Sequence, residues 1–210
     1  MFSEPYPRHL TQRDNVNPHK PEVNTPASQC SIATFTMLMN WIGDKYNIPE
    51  FSKLTEFDLY LVMENVSQFK GINRIGSSLT ALHAFNMLLE QDKYKAQMVN
   101  NYGHYVKAVL SEAPSPEKLF DIMDKNQCPV WSSTGTALSK PDGHFFCVTG
   151  HSNNHILVND PYGYYSERDG KYFNVSGKAV IYNDSLVKRI YEPTAGGRNI
   201  IYFKKIFSEG

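Results

Sequence analysis

The apolar residues of this chain change their period near residue 127, and that change constrains the fold more than any other feature. Upstream they recur at helical spacing: Ile32, Ala33, Met37, Leu38 and Trp41 share one face, as do Leu79, Leu82, Phe85 and Leu89. Downstream they come as short β-rich runs at 129–131, 145–149, 155–158, 179–182 and 200–203, broken by Gly, Asn, Asp and Pro. Helices first and strands second imply an α+β chain, with a helical half of about 28–127 packed on an antiparallel sheet of about 128–210. Residues 1–27, with prolines at 5, 7, 18, 21 and 26, read as extended chain draped on a single domain of residues 28–210.

Local signals place the helices. Ser28 can cap the first, and Gly43 gives its stop. A second is expected from Ser52 to about Val66, and a third from Ser77 or Ser78 to Leu89. Ser115-Pro116-Glu117 opens a fourth, with a cap, proline at the first helical position and an acid in the first turn.

Composition excludes several functions. Lys+Arg and Asp+Glu are both 21, and no basic run marks a patch, so no nucleic-acid partner is indicated. No apolar stretch reaches membrane-spanning length, and Met1–Pro7 lacks the basic-then-apolar pattern of a signal peptide. Synthesis into a reducing cytoplasm is the expectation. Three cysteines, at 30, 128 and 147, are an odd number without CxxC spacing, so neither a disulfide framework nor a zinc knuckle is expected. His151 and His155 are four apart, but Asn153-Asn154 between them read as a turn, which argues against a helical metal pair.

Cys30 is the residue with chemical promise. It stands at the start of the first helix, where the positive end of the helix favours a thiolate. A nucleophilic thiol also needs a base and an orienting acid. If 145–149 and 156–159 form an antiparallel hairpin with 150–154 as its turn, the midpoint of 144 and 160 is 152, inside that turn. His144 and Asp160 then lie roughly opposite each other, within side-chain reach. Cys128 precedes a proline and Cys147 lies in an apolar run, so both read as core. The Ala195-Gly196-Gly197-Arg198 stretch reads as a loop between strands, with a minor claim to cover a groove.

Three blocks carry a resemblance: Gln12-Arg13-Asp14-Asn15 followed by Ser28-Gln29-Cys30-Ser31-Ile32-Ala33, then Gly143-His144-Phe145-Phe146-Cys147-Val148, then Val158-Asn159-Asp160-Pro161-Tyr162-Gly163. In this order they resemble the C39-like peptidases, a branch of the papain-like cysteine proteases. The resemblance implies a papain-like fold and a thiol peptidase, a hydrolase that needs no metal or organic cofactor. Carried over, Cys30 is the nucleophile, His144 the general base and then acid, Asp160 the orienting acid and Gln12 the oxyanion donor. Gln29 competes with Gln12, because it adjoins the cysteine. Small proteins of this kind resemble phage- or bacterium-encoded lysins, which makes peptide cross-links of peptidoglycan the expected substrate, reached by release to the cell wall. A protein-directed protease or a deamidase would use the same triad. A non-catalytic papain-like module holding a peptide is the reading from another class.

Overall fold

The computed structural model describes residues 5–13, 29–112, 115–135, 138, 143–191 and 198–207. Its elements run α1 (Cys30–Lys45), α2 (Pro49–Ser52), α3 (Glu56–Lys70), α4 (Ser78–Leu89), α5 (Asp92–Tyr102), β1 (His104–Glu112), α6 (Pro116–Asn126), β2 (Val130–Ser133), β3 (Phe145–Ser152), β4 (His155–Asn159), β5 (Tyr164–Ser166), β6 (Lys171–Phe173), β7 (Val180–Tyr182), α7 (Asp184–Ile190) and β8 (Asn199–Phe207). The fold is α+β, as the change of period implies. Six strands form an antiparallel sheet in the order β1-β8-β2-β3-β4-β7, and β5 pairs with β6 apart from it.

Alternation along the strands divides the apolar core between the two faces of that sheet. Trp131, Cys147, Ile201 and Phe203 join the helices α1, α3 and α4 on one face. Val130, Phe146, Val148, Val158 and Ile200 join α6 and α7 on the other. The helical half is therefore not one layer. Leu119, Ile122 and Met123 of α6 cross to the far face.

Helix α1 is the central element. Every residue from Cys30 to Gly43 is buried, polar Thr34, Thr36 and Asn40 included, so the helix is enclosed all round rather than amphipathic. Asn40 Nδ2 is satisfied by the carbonyls of Phe51 and Leu54, at 2.9 and 3.0 Å. Each large apolar side chain buried here contributes about 1.5–3 kcal/mol. Gly43 does not end the helix, which runs on to Lys45. It serves a close approach instead: a Cβ there would sit 2.2 Å from Ser52 N and 2.7 Å from Phe51 C. The expected cap Ser28 lies outside the described residues, as do 14–27 and 195–197.

Other boundaries differ for local reasons. The expected helix 52–66 is two, because Thr55 and Asp58 form a capping box that starts α3 afresh. Ser77 and Ser115 cap α4 and α6 as expected. Helix α5 and strand β1 were not anticipated within the helical half, nor α7 within the sheet half. α5 buries only Met98, so it carries no apolar period to read.

The β3–β4 hairpin turns at Asn153-Asn154, both at positive φ (47° and 64°), as a tight hairpin requires. The turn is shorter than the expected 150–154 segment. A register shift between Val148 and Gly150 then brings Cys147 opposite Asn159, so His144 and Asp160 meet diagonally rather than face to face.

Candidate active site

Cys30 is the first residue of α1, with Gln29 as N-cap making no side-chain cap hydrogen bond. The positive end of a helix buried from Cys30 to Gly43 thus lies at the sulfur. Cys30 is 6% exposed, and its sulfur is one of the groups that favour the charged form of His144.

His144 stands just before β3, 1% exposed. Its Nε2 donates to Asp160 Oδ1 at 2.8 Å, which leaves Nδ1 as the ring nitrogen available to Cys30. Burial alone would push the imidazole down. The Asp160 carboxylate outweighs it, by charge and by hydrogen bond, and with Cys30 it holds His144 up at about 10. The imidazole therefore keeps its proton through neutral pH.

Asp160 follows β4 and is wholly buried. Besides His144, its Oδ1 accepts the backbone N–H of Tyr162 at 2.8 Å. Its Oδ2 accepts the hydroxyls of Tyr182 at 2.7 Å and Tyr172 at 3.2 Å. Its own N–H donates to Gly177 O at 2.9 Å, and a Cβ on Gly177 would fall 2.0 Å from Asp160 O, so only glycine fits there.

Residues 5–13 form a strap across this corner. Asn159 Nδ2 donates to Pro7 O at 2.8 Å, His9 Nε2 to Asp160 O at 3.0 Å and Arg13 Nε to Tyr162 O at 2.7 Å. Gln12 N donates to Pro161 O at 2.9 Å. Gln12 is 1% exposed, yet among the described residues neither Oε1 nor Nε2 has a partner. A buried carboxamide left unpaired costs about 1–3 kcal/mol. Ser31 and Thr34, in the first turn and a half of α1, also bury hydroxyls that have no partner among the described residues. Gln29, in contrast, makes interactions of its own.

A thiol at a helix start, a protonated imidazole against it and a buried carboxylate behind the imidazole can carry out acyl transfer. Residues 8–194 match the sequence model of the Peptidase_C39 like family. The chain belongs to that family. Its membership supports a cysteine peptidase at that level of detail. Among solved structures, the peptidase domain of Streptococcus ComA, a bifunctional ABC transporter involved in quorum sensing, is similar at 12% identity. The match covers 94% of this chain and 98% of that one, with a TM-score of 0.47. No curated protein sequence matches this chain.

The other sequence candidates of this C39-like peptidase lie elsewhere. Cys128 and Cys147 are buried core thiols; burial pushes Cys128 up to about 12 and Cys147 up as well. His151 and His155 flank the hairpin turn, and His151 Nε2 reaches Asp124 Oδ1 at 2.9 Å. Among the described residues no cluster of His, Cys, Asp or Glu could hold a metal, and no helix is long and apolar enough to cross a membrane.

A groove of about 200 Å³ opens beside His144, between the loop before α4 and the starts of β3 and β8. Its wall is a chain of polar contacts: Ser133 Oγ to Asn199 O at 3.2 Å, and Asn199 Nδ2 to Ser78 Oγ at 3.2 Å. Arg74 and Ser77 line the same space, with Gly135 and Gly143. A larger groove of about 610 Å³ lies over Phe69, His83 and Met87, between α3 and α4, and shares none of these groups. Reading the sequence missed Tyr172, Tyr182 and His9. No motif marks them, because what they contribute is one hydrogen bond each, set by tertiary placement.

Proposed function

We propose that this chain is a cysteine peptidase that cleaves peptide cross-links of bacterial peptidoglycan by thiolate acyl transfer. One observation supports the catalytic part: a buried His144 bonded to Asp160 and held charged by Asp160 and Cys30 together. The Cys30 thiolate attacks the scissile carbonyl carbon, forming a C–S bond and a tetrahedral oxyanion. Gln12 Nε2, which no described residue engages, and the Cys30 backbone N–H are the donors for that oxygen. The C–N bond then breaks as His144 gives the Nδ1 proton to the leaving amine. Water attacks the thioester with His144 as base, the C–S bond breaks, and thiolate and imidazolium return. Asp160 orients the ring throughout and balances its charge.

The groove beside His144 supports the substrate half of the proposal. It is small and lined by two glycines, three serines, Asn199 and Arg74, together with His144 and Phe145. Stem peptides of peptidoglycan are short, have small side chains and carry free carboxylates, and a guanidinium pairs with carboxylates in bidentate fashion.

Incubation with purified peptidoglycan, followed by mass spectrometry of soluble fragments, tests the assignment. New amine termini are expected with the wild-type protein and none with Cys30→Ala. Arg74→Glu should release fewer fragments while Cys30 stays reactive. Identical fragment profiles for wild type and Cys30→Ala would sink the cell-wall assignment.

A further inference from the structure

The Asp160 carboxylate is wholly buried, and each contact to it recorded among the described residues comes from an uncharged donor or from His144. A buried carboxylate keeps its charge only when hydrogen bonds replace the lost water. Here two of those bonds come from phenols on elements outside the Cys30–His144 hairpin region. Tyr182 is the last residue of β7, beside β4 at the sheet edge. Tyr172 is the middle residue of β6, in the separate two-stranded sheet. Both hydroxyls converge on Oδ2, opposite the oxygen that holds His144.

Each ring has a second contact near the same corner. Tyr172 meets the His144 ring edge-on at 5.4 Å and packs against Tyr162 and Tyr165 at 4.9 and 5.1 Å. Tyr182 packs edge-on against Phe146 at 5.8 Å. The rings wall the acid off from solvent, and the hydroxyls do what solvent would otherwise do. Burial, with the negative charge of Asp160 adding to it, drives both phenols far above their ordinary range, so they remain neutral donors at any working pH.

We propose that Tyr182 and Tyr172 are positioning residues of this site: their hydroxyls hold the Asp160 carboxylate fixed on its Oδ2 side, so that Oδ1 keeps the His144 ring turned toward Cys30. The proposal rests on the peptidase reading above. It assigns the small β5–β6 sheet a task at the site, since β6 delivers one of the two phenols. The titratable groups facing the acid and its imidazole are Cys30 from α1, His9 and Arg13 from the strap, Tyr162 beyond β4, Tyr172, Tyr182, and Arg74 across the groove. Tyr172 and Tyr182 are the phenols that donate to the carboxylate.

Tyr182→Phe and Tyr172→Phe keep the rings and remove one donor each. In the full chain with ¹⁵N-labelled histidine, the proton that His144 Nε2 donates to Asp160 Oδ1 is followed by NMR and assigned by its loss in Asp160→Asn. Removing one donor on the Oδ2 side should let the carboxylate move, shift that resonance and slow the carboxymethylation of Cys30 by iodoacetate about tenfold, with Cys128 and Cys147 as internal references. The shorter Tyr182 contact should give the larger effect. A structural role alone would lower the melting temperature and leave both readouts in place. A resonance and a Cys30 rate unchanged in both folded variants overturn the proposal. A variant that does not fold leaves the decision to the other, whose ring sits on a different strand. If wild-type Cys30 reacts no faster than Cys128 and Cys147, it is the peptidase reading that fails, an outcome separable from the loss of the tyrosine proposal alone.

Discussion

Gln12 should be a residue whose removal strengthens the protein and weakens its chemistry. Gln12 is 1% exposed, with neither its side-chain oxygen nor its nitrogen paired among the described residues. Gln12→Met keeps the length of the side chain and replaces the unpaired polar atoms by apolar ones. Relief of an unmet buried polar group is worth about 1–3 kcal/mol, and replacing it by an apolar group of like shape recovers that amount. For a chain of this length each kcal/mol moves the melting temperature by about 2–4 °C, so a rise of roughly 2–12 °C is expected. The same amide is the donor assigned to the oxyanion, and loss of one such donor lowers turnover by about 10²–10³-fold. The opposite signs make the test sharp. Melting by circular dichroism supplies the first arm. Hydrolysis of p-nitrophenyl acetate, with Cys30→Ala as the zero, supplies the second. A lower melting temperature would mean that Gln12 is satisfied where it sits, and unchanged ester turnover would mean that the oxyanion is held by another group. Either result refutes the reasoning.

Two more substitutions probe the charge balance and the packing. Asp160→Asn removes the charge that outweighs burial at His144, so the imidazole should fall from about 10 to below its ordinary 6.5, read by NMR titration of the ring. The sign for stability follows: a raised histidine stabilises the fold fully below 6.5 and loses that contribution as pH rises through about 10. The gap in urea stability between wild type and Asp160→Asn should therefore narrow over that window, and a constant gap contradicts the assignment. Gly43→Ala places a methyl 2.2 Å from Ser52 N, against backbone that cannot rotate away. Overpacking costs about 1–3 kcal/mol against a gain in helix propensity of at most about 1 kcal/mol, so the urea midpoint should drop. A higher midpoint would show that α1 and α2 do not approach this closely.

How far the sequence discloses the molecule depends on how local each determinant is. The capped helices α4 and α6 were readable because Ser77, Ser115 and Pro116 act within one turn. The meeting of His144 and Asp160 was readable because a hairpin carries both, although the turn is shorter and a bulge moves the register. Gly43 was misread, since its reason is the backbone of residues 51–52 rather than the end of its own helix. Helix α5 and strand β1 left little trace. β1 is a sheet edge whose central residue, Ala108, is closed by the Asn86 side chain with bonds of 2.9 and 3.0 Å rather than by another strand. The tyrosines on Asp160 sit 12 and 22 residues beyond it on other strands, a spacing that no short pattern encodes.

Distance along the chain also explains why the strap belongs to the site. Its bonds fall on four consecutive residues: the Asn159 side chain and the carbonyls of Asp160, Pro161 and Tyr162. Those carbonyls follow β4, where the chain leaves the main sheet and no neighbouring strand accompanies it. Without the strap the Asp160 carbonyl would keep the Gly163 N–H at 3.3 Å, but the loop that carries Asp160 would lose its outer hydrogen bonds. The contacts that carry Gln12 to this corner are thus the same ones that steady the acid. Arg8 anchors the strap independently, pairing with Asp44 at 3.1 Å and with Ser52 O at 2.8 Å, and Trp41 Nε1 donates to Pro5 O at 2.8 Å. Both of those ties lead into α1 or its neighbour α2, so the strap spans from the helix that presents Cys30 to the loop that presents Asp160. Cys30, Asp160 and Gln12 are thus tied together by one short segment, and His144 lies between the two ends that it joins.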